Sequence, residues 1–280
     1  MSSGPTPMMA QYRRVRNELA ADVILFFRLG DFYEMFFDDA ITASRILDIT
    51  LTRRQKVPMC GVPYHAAENY IARLVRAGRK VAVCDQVEDA SAAKGIVKRE
   101  VTRIVTPGTV LEEGALEAAR SNYLAGVCRS GAGFGLAMLD LSTGEFRVEE
   151  AQDPAALSEW MAACAPAEMV APEEQLKDGR LAPVFAARPG ARVTRLEDWL
   201  FERDVARDRL LRHFGVVSLD GFGGADLEAG LGAAGAVLHY VADTLRRSVD
   251  HVRAMRVCRS DAFLFLDEAT VVNLELLSSR

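Results

Sequence analysis

Hydrophobic positions along this chain follow two periods, and the switches between them mark its elements. Residues 23–28 form an unbroken apolar run of strand length, Leu29, Gly30 and Asp31 can turn, and residues 32–36 alternate, so the pattern predicts a β-hairpin. Asp38 and Asp39 then open a helix, where negative charge suits the positive end of the macrodipole, with Ala40, Ala43 and Leu47 on one face. The basic loop Arg53-Arg54-Gln55-Lys56 leads into a connection, residues 58–63, stiffened by a proline at each end. A helix follows with Tyr70, Leu74 and Ala77 in one stripe, stopped by Gly78. Residues 80–84 and 101–105 are short and β-branched, which predicts two more strands and an α/β first domain closed by Pro107-Gly108.

Residues 111–122 are acidic and Ala-rich and lack strand character, so they read as a linker, and a second domain begins near Tyr123. Its opening is a meander of residues 123–128, 134–141 and 145–148, separated by turns at 130–133 and at Ser142-Thr143-Gly144. Helical spacing governs residues 155–163, 196–214 and 231–246, with a strand expected at 167–170, so this domain is α/β too. The glycines between Gly221 and Gly235 follow no strand and read as helix packing and turns. The tail starts another strand and helix at 263–277 whose apolar stripe, Val272 and Leu276, has no following partner, so a further domain is expected after it.

Composition narrows the function classes. No apolar run reaches the ~20 residues of a membrane helix, and the first residues lack the order of a signal peptide, which predicts a cytoplasmic protein with no membrane contact. The five cysteines are odd in number and scattered without a C-x-x-C pair, and the four histidines lie far apart; buried thiols and no metal are expected. The net charge of −5 is divided unevenly. Residues 1–110 hold 16 Lys and Arg against 12 Asp and Glu, a net of +4, leaving 18 against 27, or −9, for the rest. The basic end is the front, where a polyanion would be met, although chance scatter of surface charge gives the same figures.

Candidate chemistry is sparse. The P-loop pattern is absent and no glycine cluster has the strand-turn-helix setting of a dinucleotide site. Asp140 on the meander could begin a magnesium site for a nuclease, but Leu141-Ser142-Thr143-Gly144 follow it, so it reads as a turn residue and no second acid has a geometric claim. In Gly30-Asp31-Phe32-Tyr33-Glu34-Met35-Phe36 the strand period puts Phe32, Glu34 and Phe36 on one face and Tyr33 and Met35 on the other. Phe32 could enter a base stack while Glu34 bonds the displaced base, or Phe32 could be a core aromatic with Glu34 merely solvating the edge; the residues alone leave both readings open.

Several segments, in order, resemble the N-terminal portion of the MutS family of DNA mismatch-repair proteins. They are Thr6-Pro7-Met8-Met9-Ala10-Gln11-Tyr12, Phe26-Phe27-Arg28-Leu29-Gly30-Asp31-Phe32-Tyr33-Glu34, Pro58-Met59-Cys60-Gly61-Val62-Pro63-Tyr64-His65 and Arg103-Ile104-Val105-Thr106-Pro107-Gly108-Thr109, with weaker likeness at Leu139-Asp140-Leu141-Ser142-Thr143-Gly144 and Phe214-Gly215. The resemblance implies an α/β chain of two domains: a mixed-sheet mismatch-recognition domain over 1–109 and, past a linker at 110–122, a ribonuclease-H-like connector over 123–257. The start of a core domain is expected at 258–280. It implies that Phe32 stacks on a mispaired or unpaired base from the minor groove and that Glu34 hydrogen-bonds it. Arg53, Arg54, Met59, His65, Arg103, Thr106 and Pro107 fall in segments that face DNA in the family. Implied partners are double-stranded DNA carrying a mismatch or small loop, a MutL-type protein at the connector, and a second copy in the full-length parent. ATP and magnesium are expected of a C-terminal ATPase domain in that parent, no cofactor and no catalysis of this chain. Cys60 stands where relatives usually have alanine, and residues 53–57 form a shorter loop than in many. A metal-dependent nuclease on the second domain and a protein-binding scaffold are the alternatives.

Overall fold

The computed structural model describes residues 6–88, 97–110, 121–131, 133–224, 226–246 and 248–258. The chain divides into two compact units, residues 1–118 with 244–247 and residues 119–243 with 248–280. The expected linker and tail fall largely on 111–120 and 259–280, outside the described residues.

The first unit runs α1 (Pro7–Asn17), β1 (Val23–Leu29), β2 (Phe32–Phe36), α2 (Phe37–Leu47), β3 (Thr52–Arg54), β4 (Val57–Pro63), α3 (Ala67–Arg76), β5 (Lys80–Gln86) and β6 (Arg99–Val105). Its sheet has the order β3-β4-β2-β1-β5-β6, with β1 and β5 parallel and the other neighbours antiparallel, so it is mixed. One face carries Ile24, Phe26, Tyr33, Met35, Val62 and Val81 and is sealed by Ala40, Ala43 and Leu47 of α2 and Ile71, Leu74 and Val75 of α3. The predicted α3 stripe is shifted: Leu74 is buried, but Ala77 is exposed beyond the helix end. The opposite face carries Leu25, Phe27, Phe36, Ala82 and Cys84 and is covered by Met9, Tyr12 and Val15 of α1. An 11-residue helix is roughly 16 Å long, shorter than six strands spaced ~4.8 Å apart are wide. That face is therefore only partly roofed.

Asp39 does more than complement the α2 dipole. It is buried, accepts from the Leu25 N–H at 3.0 Å and pairs with Arg16 Nε at 3.0 Å, so it ties α2 to β1 and α1.

The stretch from 52 to 63 departs from the expected basic loop and rigid connection. It is a hairpin, β3 paired antiparallel with β4, and β4 is an inner strand next to β2. Its two prolines disguised it: Pro58 and Pro63 sit near its ends, where loss of a donor costs least. The two-residue turn places Gln55 at φ 49° and Lys56 at φ 71°, left-handed conformations usually held by Asn and Gly. The double substitution Gln55→Asn and Lys56→Gly is therefore expected to stabilise the unit by about 1 kcal/mol, read as a higher urea midpoint.

The second unit runs β7 (Tyr123–Ser130), β8 (Gly133–Asp140), β9 (Glu145–Ala151), α4 (Pro154–Cys164), β10 (Glu168–Pro172), α5 (Ala182–Ala186), β11 (Arg192–Leu196), α6 (Arg203–Phe214), α7 (Ala229–Leu245) and β12 (Arg256–Val257). The sheet order is β11-β10-β7-β8-β9-β12: an antiparallel meander extended by β10 parallel to β7 and β11 parallel to β10. This is the arrangement expected of a ribonuclease-H-like connector. Leu157, Trp160 and Met161 of α4 cover one face. The other meets α7 at backbone distance, because Gly126, Gly135 and Ala137 pave it with almost no side chain. Residues 196–214 are not one helix: Leu196 ends β11, a short 3-10 turn spans Asp198–Phe201, and α6 follows. The polar edge strand β11 escaped the pattern because it buries none of its five residues.

Candidate nucleic-acid interface

The tip of the β1–β2 hairpin is held from several sides. Gly30 makes the turn at φ 58°, and Arg28 Nε donates to its carbonyl. The Tyr64 N–H donates to the Asp31 carbonyl at 2.9 Å, and the Arg28 guanidinium lies 3.6 Å over the Tyr64 ring. Arg99 Nε, from β6, donates to the Arg28 carbonyl at 2.6 Å. On the covered face Tyr33 donates its hydroxyl to Asp85, and burial together with that carboxylate raises its pKa, so it stays a donor.

On this braced strand Phe32 is 47% exposed, flanked in register by Leu29 and Pro63. Glu34 shares its face and is half-buried. Opposite Glu34 stands Gly61, where a Cβ would lie 3.3 Å from the Tyr33 carbonyl and 3.6 Å from Glu34 Cγ. The missing side chain leaves a notch beside the carboxylate. Across that notch Arg54 Nη1 reaches Glu34 Oε2 at 2.7 Å.

The other expected contact residues separate. Met59 lies on the Phe32 face, opposite Phe36, and is half-buried against its core. His65 is exposed in the 3-10 turn after β4, its ring edge-on to Tyr64 at 5.8 Å. Arg53 pairs opposite Pro58, which puts it on the other sheet face from Arg54 although both are exposed. Arg103 also points to that other face, paired opposite Val83, and its Nη2 lies 2.5 Å from Glu68 of α3. Thr106 is fully buried, and its hydroxyl is engaged with that of Thr109 at 2.8 Å, so no side-chain group of it is presented at the surface. Since β6 runs antiparallel to β5, and β5 parallel to β1, Thr106 and the half-buried Pro107 also lie at the end of the sheet away from Phe32.

Gly61, Arg28, Tyr64 and Arg99 had no assigned role in the sequence reading. The first three lie in the quoted motifs, but only the strand register shows what they do. Cys60 is buried behind β4, its thiol directed at the Ala40 carbonyl and pushed by burial up to about 11, so it is packing and not chemistry.

In the second unit Asp140 is a turn residue. Its Oδ1 accepts from the Ser142 N–H at 2.9 Å and the Ser142 hydroxyl at 2.6 Å, and its Oδ2 from the Asn122 N–H at 3.2 Å. Among the described residues no group of three His, Cys, Asp or Glu is placed to hold a metal ion. Asp140→Ala removes a buried acceptor that ties the exposed Ser142 and the half-buried Asn122 to the end of β8, and is expected to lower stability by about 1 kcal/mol in urea unfolding. Among the described residues no helix is long and apolar enough to cross a membrane.

Fold and surface define a class: a two-domain α/β protein whose leading domain presents an exposed aromatic at the tip of a braced strand, with a half-buried acid on the same face of a mixed sheet. Residues 6–114 match the model of MutS domain I and residues 122–253 that of MutS domain II, and the chain belongs to the MutS family. It is 48% identical to the DNA mismatch repair protein MutS of Solibacter usitatus, over 99% of this chain and 32% of that protein. Against the MutS proteins of Desulfatibacillum aliphaticivorans and Syntrophobacter fumaroxidans the identities are 46% and 48%, each over 98% of this chain and 31% of the relative. The chain thus spans about a third of the length of the curated relatives it matches.

Proposed function

We propose that the chain recognises mispaired or unpaired bases in double-stranded DNA, with Phe32 as a stacking wedge and Glu34 as the acceptor for the displaced base. The observation that carries this is the 47% exposure of Phe32 on a braced strand, beside Glu34, in a domain matching MutS domain I. Unstacking a base step costs a few kcal/mol, and least where pairing is already lost, so a wedge reads deformability and not sequence. Met59, on the same sheet face, and the exposed His65 after β4 are the further contacts in this reading, and Arg54 acts beside Glu34. Arg53 and Arg103 reach DNA only where it wraps past the opposite face.

The second domain is read as a connector and docking platform for a MutL-type partner. No catalytic step is assigned to either of these two domains. The test is titration at low salt of a duplex with a G·T pair or one extra base against its perfect counterpart, by the chain and by its Phe32→Ala variant. Low salt matters because phosphate contacts weaken steeply as salt rises.

A further inference from the structure

Resting on that reading, we infer that Arg54 is a positioning residue that keeps Glu34 occupied until a displaced base takes its place, so that it sets discrimination between faulty and sound duplex. The two partners are unequally placed. The Glu34 side chain is 15% exposed and that of Arg54 46%, so the carboxylate is the sheltered member and the guanidinium the one solvent and phosphate can reach. The strand between them carries Gly61 opposite Glu34, so a long side chain from the edge strand crosses where any residue with a Cβ would crowd the floor. Arg54 itself sits on a three-residue, fully exposed edge strand at the Gln55–Lys56 turn.

The pair solves an electrostatic problem. A bare carboxylate at a phosphate-facing surface repels DNA of every sequence. Paired with Arg54, it is neutralised and its acceptor is filled. On sound duplex no base edge is displaced toward Glu34, so the pair persists through binding. At a fault, the base N–H replaces the guanidinium at Oε2, and Arg54 turns to a phosphate. One charge-assisted hydrogen bond is exchanged for another, at little net cost, and one phosphate contact is gained.

The pairing state therefore differs between the two complexes, and salt dependence reads it. Each phosphate neutralised contributes roughly 0.9 to the slope of log affinity against log salt. Arg54→Ala is expected to lower that slope by about 0.9 on a heteroduplex, where a phosphate contact is lost, and by clearly less on the matched homoduplex, where only the repulsion of the bared Glu34 carboxylate is added. In a double-mutant cycle, the effect of Glu34→Ala on heteroduplex affinity is expected to differ by roughly threefold to fivefold between the Arg54 and Arg54→Ala backgrounds, the range of an exposed ion pair. An unchanged urea midpoint for Arg54→Ala establishes that the fold is intact. Equal loss of slope on both duplexes makes Arg54 a plain phosphate contact and overturns the inference, as does an additive cycle on heteroduplex. If the unsubstituted chain does not prefer heteroduplex at all, the mismatch reading itself falls, and the inference with it.

Discussion

Phe32→Ala is expected to abolish the preference for a mismatched or one-base-loop duplex, lowering heteroduplex affinity by roughly tenfold to a hundredfold. Stacking of one base on an aromatic ring contributes about 1–3 kcal/mol, and each 1.4 kcal/mol is a factor of ten. Affinity for perfect duplex is expected to change little, because a ring that stalls on sound stacking contributes little to that complex. Stability is not at issue: Phe32 belongs to neither core cluster of its unit, so its truncation is expected to stay within about 0.5 kcal/mol in urea unfolding. Fluorescence anisotropy on both duplexes checks this. An unchanged preference in the variant would falsify the wedge assignment, and equal weakening on both duplexes would make Phe32 a general contact.

The second large effect lies in the second unit. A Cβ on Gly135 would stand 2.1 Å from the backbone carbonyl of Ala229 and 2.5 Å from the Gly230 nitrogen, so Gly135→Ala must push α7 off the sheet. Neither side can yield cheaply, since β8 is buried along all eight residues and the obstacle is helix backbone, not a flexible side chain. Destabilisation of about 3 kcal/mol or more is expected, seen as a large fall in the urea midpoint. Gly190→Ala is the control: a Cβ there meets nothing within 4 Å, so the change is expected to be near neutral. Equal midpoints for the two variants would show that α7 can retreat freely and that the close packing carries little energy.

Local patterns were a good guide wherever burial repeats along a single element. The 23–36 hairpin, the α2 stripe and the meander all follow from period, because a strand or helix packed on one side must repeat its apolar residues at its own spacing. The glycines of 221–235 likewise read correctly as packing: Gly232 and Gly235 let α7 approach the Phe201 carbonyl and Ala206. The pattern failed at β4, whose prolines mimic a loop, and at β11, an exposed edge strand.

The candidate site shows a sharper division. By itself the sequence determined that Phe32 and Glu34 share a strand face, because alternation is built into extended backbone. Tertiary structure alone decided that Phe32 stays exposed while Glu34 is sheltered, that Arg54 meets Glu34 across an intervening strand while its neighbour Arg53 points away, and that Thr106 is buried at the far end of the sheet. Those outcomes depend on register and strand order, which join residues distant in sequence, and no spacing along one segment encodes which segments become neighbours.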